Sequence, residues 1–245
     1  MGTISYEQST YEVRGDLAAA HARAWEHLSR PGTWLKAAER ISIAGEARAA
    51  KRCALCAERK KARSPFAVDG RHDSATSLPE AWIDIIHRII SDPGRLTQGW
   101  YGRTIGRQIS DGEYVELVSV VAHLTAIDTF VRGLGCDLSP LPDAKSGAPS
   151  RYRPAEARRN GAWVPTIAWD EHGPDEADFF QGFPANIKMA LTLVPDEARS
   201  FFDIVAHQYL PGPAMRDFEK EYRAINHAQI ELLAGRVSAI NQCTY

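Results

Sequence analysis

Several things are scarce in this chain of 245 residues, and each scarcity narrows what the protein can be. An excess of one charge is missing: 29 Lys and Arg face 31 Asp and Glu, a net −2 with no block of like charges, so nothing marks a nucleic-acid footprint. Long apolar runs are missing as well. No stretch approaches the roughly 18 uninterrupted apolar residues of a membrane span, and the opening MGTISYEQST lacks the apolar core of a secretory signal. Tyr6 stands where a myristoylation signal after Gly2 wants Ser or Thr. These absences predict a cytoplasmic protein with neither membrane nor nucleic acid as partner. Cysteine is sparse at four residues, too few for a disulfide framework, which leaves redox chemistry, metal binding or packing. Finally, no run alternates apolar and polar residues between turn signals as a half-buried strand would, and the class predicted is all-α.

What is present is helical periodicity. From Asp16 to about Ala62 the chain reads as helix, broken into two by Pro31-Gly32. A further helix opens at Leu78-Pro79, carries AWIDIIHRII and stops at Ser91-Asp92-Pro93-Gly94. Ser110 with Glu113 forms a capping-box pattern ahead of Tyr114, Leu117, Val118, Val121, Leu124, Ile127 and Val131, a long core helix ended by Gly133 and Gly135. From Cys136 to about Glu176 six prolines deny helix or sheet a continuous ladder, so this is a linker, and Trp163 and Trp169 hold it against a folded surface. Helices resume over 185–193, from Pro195 to Leu210, and from Asn226, where Gln229 completes a capping-box variant, almost to the end.

An internal repeat emerges when Cys53 is laid on Cys243, a spacing of 190 residues. Ala44-Gly45 then meets Ala234-Gly235 and Ala49 meets Ala239; the copies read IAGEARAAKRCALC and LAGRVSAINQCTY. The first contains a complete CxxC at Cys53 and Cys56, and the second stops one residue short of one. IKMALTLVPDEARSFFDIVAHQYL followed by HAQIELLAGRVSAINQCTY resembles the alkylhydroperoxidase D-like proteins, the carboxymuconolactone decarboxylase superfamily, over roughly residues 185–245, with 16–135 a looser, diverged copy. The layout is similar to the alkylhydroperoxidase-related selenoprotein branch. That resemblance implies a selenocysteine at the position after Tyr245, and about 80 further residues for a second copy as complete as the first.

The resemblance implies catalysis by Cys243 with Glu231, twelve residues earlier, relaying a proton through a histidine. Twelve residues of unbroken helix span about 18 Å, so that role requires a chain reversal around Ile240 to Gln242. Cys53 and Cys56 are secondary redox candidates: the matching positions hold Ile41 instead of glutamate and Lys60 instead of histidine, although Lys51 and Arg52 favour a Cys53 thiolate. As a zinc site the pair would need two more ligands, and His72 and His87 stand at spacings that match no standard zinc pattern, so no metal is expected. His87 and His123 read as hydrogen-bonded core or interface residues, and Cys136 as packing.

The expected architecture is therefore an alkylhydroperoxidase D-like all-α fold in two diverged copies: 1–136, a proline-rich linker 137–176, and a partial second copy 177–245. The expected function is hydroperoxide reduction by cysteine or selenocysteine, with no other cofactor. Its partners are a small hydroperoxide, a thiol reductant or reducing protein, and further copies of itself. Cofactor-free decarboxylation and a non-catalytic helical oligomerisation or binding role are the alternatives.

Overall fold

In the computed structural model, which describes residues 2–181, 185–241 and 243, every regular element is a helix. Leu17, Ala20, Ala24, Trp25 and Leu28 recur at three- and four-residue spacing and form the buried face of α1 (Gly15–Ser29). Pro31 and Gly32 end it, and α2 (Ala37–Ala50) starts where the Glu39 carboxylate accepts the Lys36 backbone N–H at 2.7 Å. A two-residue turn then separates α2 from α3 (Ala54–Lys61), so the region read as two helices contains three. α4 (Glu80–Ser91) and α6 (Asp111–Gly133) fall where their start and stop signals put them, Ser110 and Glu113 forming the capping box of α6. Between them, α5 (Gln98–Thr104) was not visible: QGWYGRT holds two glycines and under two turns of pattern. The helix expected over 185–193 shrinks to the single turn α7 (Asn186–Met189), because Leu191, Leu193 and Val194 bury themselves in an irregular segment instead. α8 (Pro195–Gln208) and α9 (His227–Ile240) complete the chain, the latter behind an Asn226–Gln229 capping box.

α6 runs through the centre. Its Leu117, Val120, Val121, Leu124 and Ile127 share one core with Ile43, Ala44 and Ala47 of α2, Ile85 and Ile86 of α4, and Ala198 and Ile204 of α8. It is also the one described helix long and apolar enough to cross a membrane by length and composition, and 67% of its most apolar window is buried among these neighbours. Segment 137–176 packs on the fold, but Trp163 is exposed and Trp169 half-buried, so other residues hold it. Its Lys145 and Arg151 backbone N–H groups donate to the Ser29 and Thr33 carbonyls at 2.8 Å, Arg153 forks onto Asp111, and Ile167 is fully buried.

Two helix pairs recur, at spacings that differ by ten residues. α2 and α9 are each 14 residues long, begin 190 residues apart and open with a capping box. α1 and α8 begin 180 residues apart, each followed by Pro-Gly, at 31–32 and 211–212. α1 and α8 pack antiparallel: Arg14 bonds the His207 carbonyl, Arg23 pairs with Asp203 at 2.8 Å, and His27 meets Glu197. The pairs differ in what covers them. α2 is enclosed by α4 and α6, whereas α9 exposes Leu232, Leu233, Val237 and Ile240.

One buried polar cluster crosses the core. Arg40 of α2 reaches Glu116 of α6 and Glu197 of α8, both at 2.5 Å, with all three side chains at most 1% exposed. Glu116 also accepts the Trp34 backbone N–H at 2.6 Å, and Glu197 the His27 ring at 2.7 Å. Burial, and then the neighbouring Glu197 charge, push the Glu116 carboxyl up. Burial opposes ionisation of Glu197 too, but Arg40 and His27 outweigh it and hold that carboxyl well below its usual range. Gly32 is required beside them: a Cβ there would sit 1.8 Å from a Glu116 carboxylate oxygen. His123, buried between α6 and α8, bonds the Ser119 carbonyl through Nδ1 (2.8 Å) and Ser200 Oγ through Nε2 (2.9 Å). As the sequence suggested, it is a satisfied core residue, and burial lowers its pKa to about 4.

Two outcomes follow from these groups. Arg40→Met leaves two carboxylates buried without their cation and should cost about 3–5 kcal/mol in urea unfolding, while Arg40→Met with Glu116→Leu and Glu197→Leu recovers most of that loss; an Arg40→Met protein as stable as wild type would contradict the assignment. His123 has a folded pKa below its unfolded value of 6.5, so its contribution is complete above pH 6.5 and is lost as pH falls toward about 4. That loss is on the order of 3 kcal/mol. The difference in unfolding free energy between wild type and His123→Gln should narrow over that interval, and a difference constant with pH would refute it.

Candidate functional site

At the end of α2 the chain turns through Lys51 and Arg52, and Cys53 becomes the N-cap of α3. Cys56 follows one turn into the helix, so CxxC places both sulfurs on the same side of the helix start, where backbone N–H groups favour thiolate. The Asp73 carboxylate accepts the Ala54 N–H at 2.8 Å and closes that start from outside. Both cysteines are free and buried.

Segment 62–79 contains no helix, and it returns across α3 to deliver His72 beside the sulfurs. His72 Nδ1 lies 3.6 Å from Cys53 Sγ and 3.6 Å from Cys56 Sγ. α4 brings Asp84, His87 and Arg88 to the same place, since positions three and four apart share a helix face. His87 Nδ1 lies 3.3 Å from Cys56 Sγ, and the two imidazole centroids are 4.2 Å apart.

Each ring is held from behind by a carboxylate. His72 Nε2 donates to Asp84 at 3.0 Å, and Asp84 is braced by Arg59 and Arg88, both at 2.8 Å. His87 Nε2 donates to Glu46 of α2 at 2.8 Å. The other Glu46 oxygen accepts from Ser74 Oγ, the Ala75 N–H and Thr76 Oγ1 at 3.0, 3.1 and 2.6 Å. Putting the Nε2 proton on the carboxylate side leaves each Nδ1 lone pair facing sulfur.

Charge follows from this geometry. Burial works against an ionised Cys56, but the hydrogen bonds from His72 and His87 outweigh it and lower the thiol pKa. Burial likewise opposes the imidazolium forms, and Asp84 with Cys56 for His72, and Cys56 with Glu46 for His87, reverse the sign and raise both. The pair therefore leans toward thiolate and imidazolium. Beside it lies a cleft of about 10 Å³ bordered by Cys56, Arg59, Arg88, Ser91 and Arg95, about the room of one water. Ser91 and Arg95 also border a larger cleft of about 640 Å³, walled by Ile89, Ile90, Val118, Val121 and Ala122 and fringed by Lys51 and Lys60.

The other predicted site is arranged differently. α9 ends at Ile240 and Asn241 turns, so no straight helix continues to Cys243; Gln242, Thr244 and Tyr245, and hence the position after Tyr245, lie outside the described residues. Cys243 is exposed and its N–H bonds the Ser238 carbonyl at 3.0 Å. Glu231 is in the first turns of α9, roughly 13 Å along the axis from its last residue. It accepts from the Tyr209 hydroxyl at 2.5 Å and lies 3.6 Å from His227 Nε2. The described residues show no histidine beside Cys243. Cys136 sits at the C-terminal end of α6, half-buried, its N–H on the Val131 carbonyl.

Comparison with protein-family models, curated proteins and solved structures finds no match. The functional reading therefore rests on the chain's own residues. The offsets of the resemblance led to Ile41 and Lys60, whereas the carboxylate and imidazole that stand next to Cys56 are those of Glu46 and His87. His87 is indeed a buried, hydrogen-bonded residue, but its partners are Glu46 and Cys56. One signal was available: WIDIIHRII puts a histidine on the apolar face of an amphipathic helix, where burial demands polar partners.

Proposed function

We propose that the protein is a thiol oxidoreductase that reduces hydroperoxides at Cys53 and Cys56. The observation that carries this reading is the unbroken line Glu46, His87, Cys56, with Cys53 one turn away to resolve. In this reading Cys56 is the attacking sulfur, since both imidazoles reach it and it borders the small cleft lined by Arg59, Arg88, Asp92 and Arg95. The thiolate attacks the outer peroxide oxygen, the O–O bond breaks, and the alkoxide leaves as alcohol with a proton from an imidazolium. Cys56, now a sulfenic acid, is attacked by Cys53; a disulfide forms and water departs. Two thiols and one hydroperoxide thus give one disulfide, one alcohol and one water, and a thiol reductant returns the two electrons. The larger cleft next door has an apolar side, formed by Ile89, Ile90, Val118 and Val121, that could take the organic tail of an alkyl hydroperoxide. Four cysteines left as thiols are consistent with a reducing, cytoplasmic setting.

The resemblance to alkylhydroperoxidase D-like proteins points to the same chemistry, and the 190-residue spacing of α2 and α9 supports reading 177–245 as a partial copy, with α1 and α8 ten residues out of that register. In that reading Cys243 and Glu231 belong to the second copy's site. The exposed apolar face of α9 is proposed to bind a second copy of the chain.

Reduced protein should consume an alkyl hydroperoxide with Cys56→Ser inactive, His87→Gln slowed roughly 10²–10⁴-fold and Cys243→Ser near wild type. Turnover that survives loss of both Cys53 and Cys56 would defeat the assignment and favour decarboxylase-like chemistry; a folded, reduced wild type that consumes no hydroperoxide would favour the binding role. In light scattering, Val237→Glu should give a smaller species than wild type, and a wild type monomeric at every concentration would contradict the self-association.

A further inference from the structure

A proton relay to one thiol needs one imidazole, and this site has two. Each is built alike: Nε2 on a buried or half-buried carboxylate, Glu46 or Asp84, and Nδ1 aimed at sulfur. With each imidazole deprotonated at Nδ1 and its proton on Nε2, a lone pair faces the thiols, as in carboxylate–histidine pairs behind metal ions; Arg59 Nη1 also stands 3.0 Å from His72 Nε2. We infer that Cys53, Cys56, His72 and His87 bind a single zinc-class divalent cation in a tetrahedral site. This goes beyond the hydroperoxide reading and does not depend on it.

Distances support four-coordination. Zinc bonds of about 2.3 Å to sulfur and 2.0–2.1 Å to nitrogen, at tetrahedral angles, separate sulfur from nitrogen by about 3.6 Å. Three of the four sulfur–nitrogen separations are 3.3, 3.6 and 3.6 Å, and all four donor atoms lie within 4.8 Å of one another. Two thiolates with two imidazoles select zinc over the oxygen-seeking magnesium or calcium. Two thiolates also neutralise the ion, and the Asp84 charge behind is balanced by Arg59 and Arg88.

The fold gives the ion a purpose. Segment 62–79 has no helix; Phe66 and Leu78 pack on the main core, while around His72 the apolar cluster is Cys53, Leu55 and Cys56 with Val68. Between those two anchors the segment is held mainly by polar contacts such as those of Ser74, Ala75 and Thr76 with Glu46. A cation bridging Cys53 and Cys56 of the α3 start, His72 of the segment and His87 of α4 fastens all three together, and its binding energy becomes folding energy for that corner. A bound cation and a Cys53–Cys56 disulfide exclude each other, because both use the same sulfurs.

The test is metal content of the full chain purified reduced from zinc-supplemented medium without chelator. The expected result is one zinc per chain. Cobalt substitution should give the sulfur-to-metal charge-transfer and strong d–d absorption of a tetrahedral thiolate site. Cys53→Ser and His72→Gln should abolish stoichiometric binding, and Asp84→Asn, which leaves all four ligands in place, should weaken it about 10–100-fold. On wild type, chelation should speed amide exchange across 62–79 while α6 stays protected. Folded wild type that retains no zinc, or zinc retention unchanged in Cys53→Ser, would overturn the site. Hydroperoxide consumption by chelated protein is read separately: zinc binding without turnover defeats only the oxidoreductase reading, and turnover without zinc defeats only the metal site.

Discussion

A single buried guanidinium ties the structure together. Arg40 joins α2 to Glu116 on α6 and to Glu197 on α8, elements far apart in sequence, and it does so where the side chains are almost wholly shielded from water. A charge there is tolerable only with its partners in place, so the cluster admits one arrangement of three helices and penalises others. Gly32 gives the carboxylate its room, and His27 adds a second contact on Glu197. With α2 pinned near its start, the direction of its far end is set. That far end carries Glu46 and leads into Cys53.

The functional corner uses the same logic with different groups. Glu46 is buried, yet every lone pair it turns inward has a donor: His87, Ser74, Ala75 and Thr76. It therefore does two jobs, holding the returning segment and orienting the ring that faces Cys56. Asp84 does the same for His72 with help from two arginines. Neither carboxylate touches sulfur; both act as positioning residues. The result is a pair of thiols met by two imidazole nitrogens in a confined space, an arrangement suited to thiolate chemistry and, with those nitrogens deprotonated, to a soft cation.

Helices with strong punctuation were legible in the sequence. Ser110 with Glu113, Asn226 with Gln229, and Pro93-Gly94 mark boundaries through hydrogen bonds and forbidden dihedrals confined to a few residues, so one sequence suffices to read them. α5 and the shortened α7 were not legible because their form depends on packing against distant residues. The site was half legible. CxxC announced Cys53 and Cys56, and His72 and His87 were the nearest candidate partners, but their spacing matches no standard pattern because they come from 62–79 and from α4, across a segment held by Glu46. Looking for a relay at fixed offsets led to Ile41 and Lys60, five residues upstream of Glu46 and far upstream of His87. The proposed repeat was read from small residues and one cysteine; the helix bounds at 37–50 and 227–240 share its 190-residue spacing, whereas α1 and α8 begin 180 residues apart.

The most direct measurement is a map of which thiols respond first. Reduced, metal-free protein treated with increments of an alkyl hydroperoxide, then alkylated and examined by peptide mass spectrometry, should show a Cys53–Cys56 disulfide forming before Cys136 or the exposed Cys243 is oxidised, with helical content unchanged. If Cys243 is consumed first while Cys53 and Cys56 remain reduced, the cluster around Cys56 is not the reactive centre.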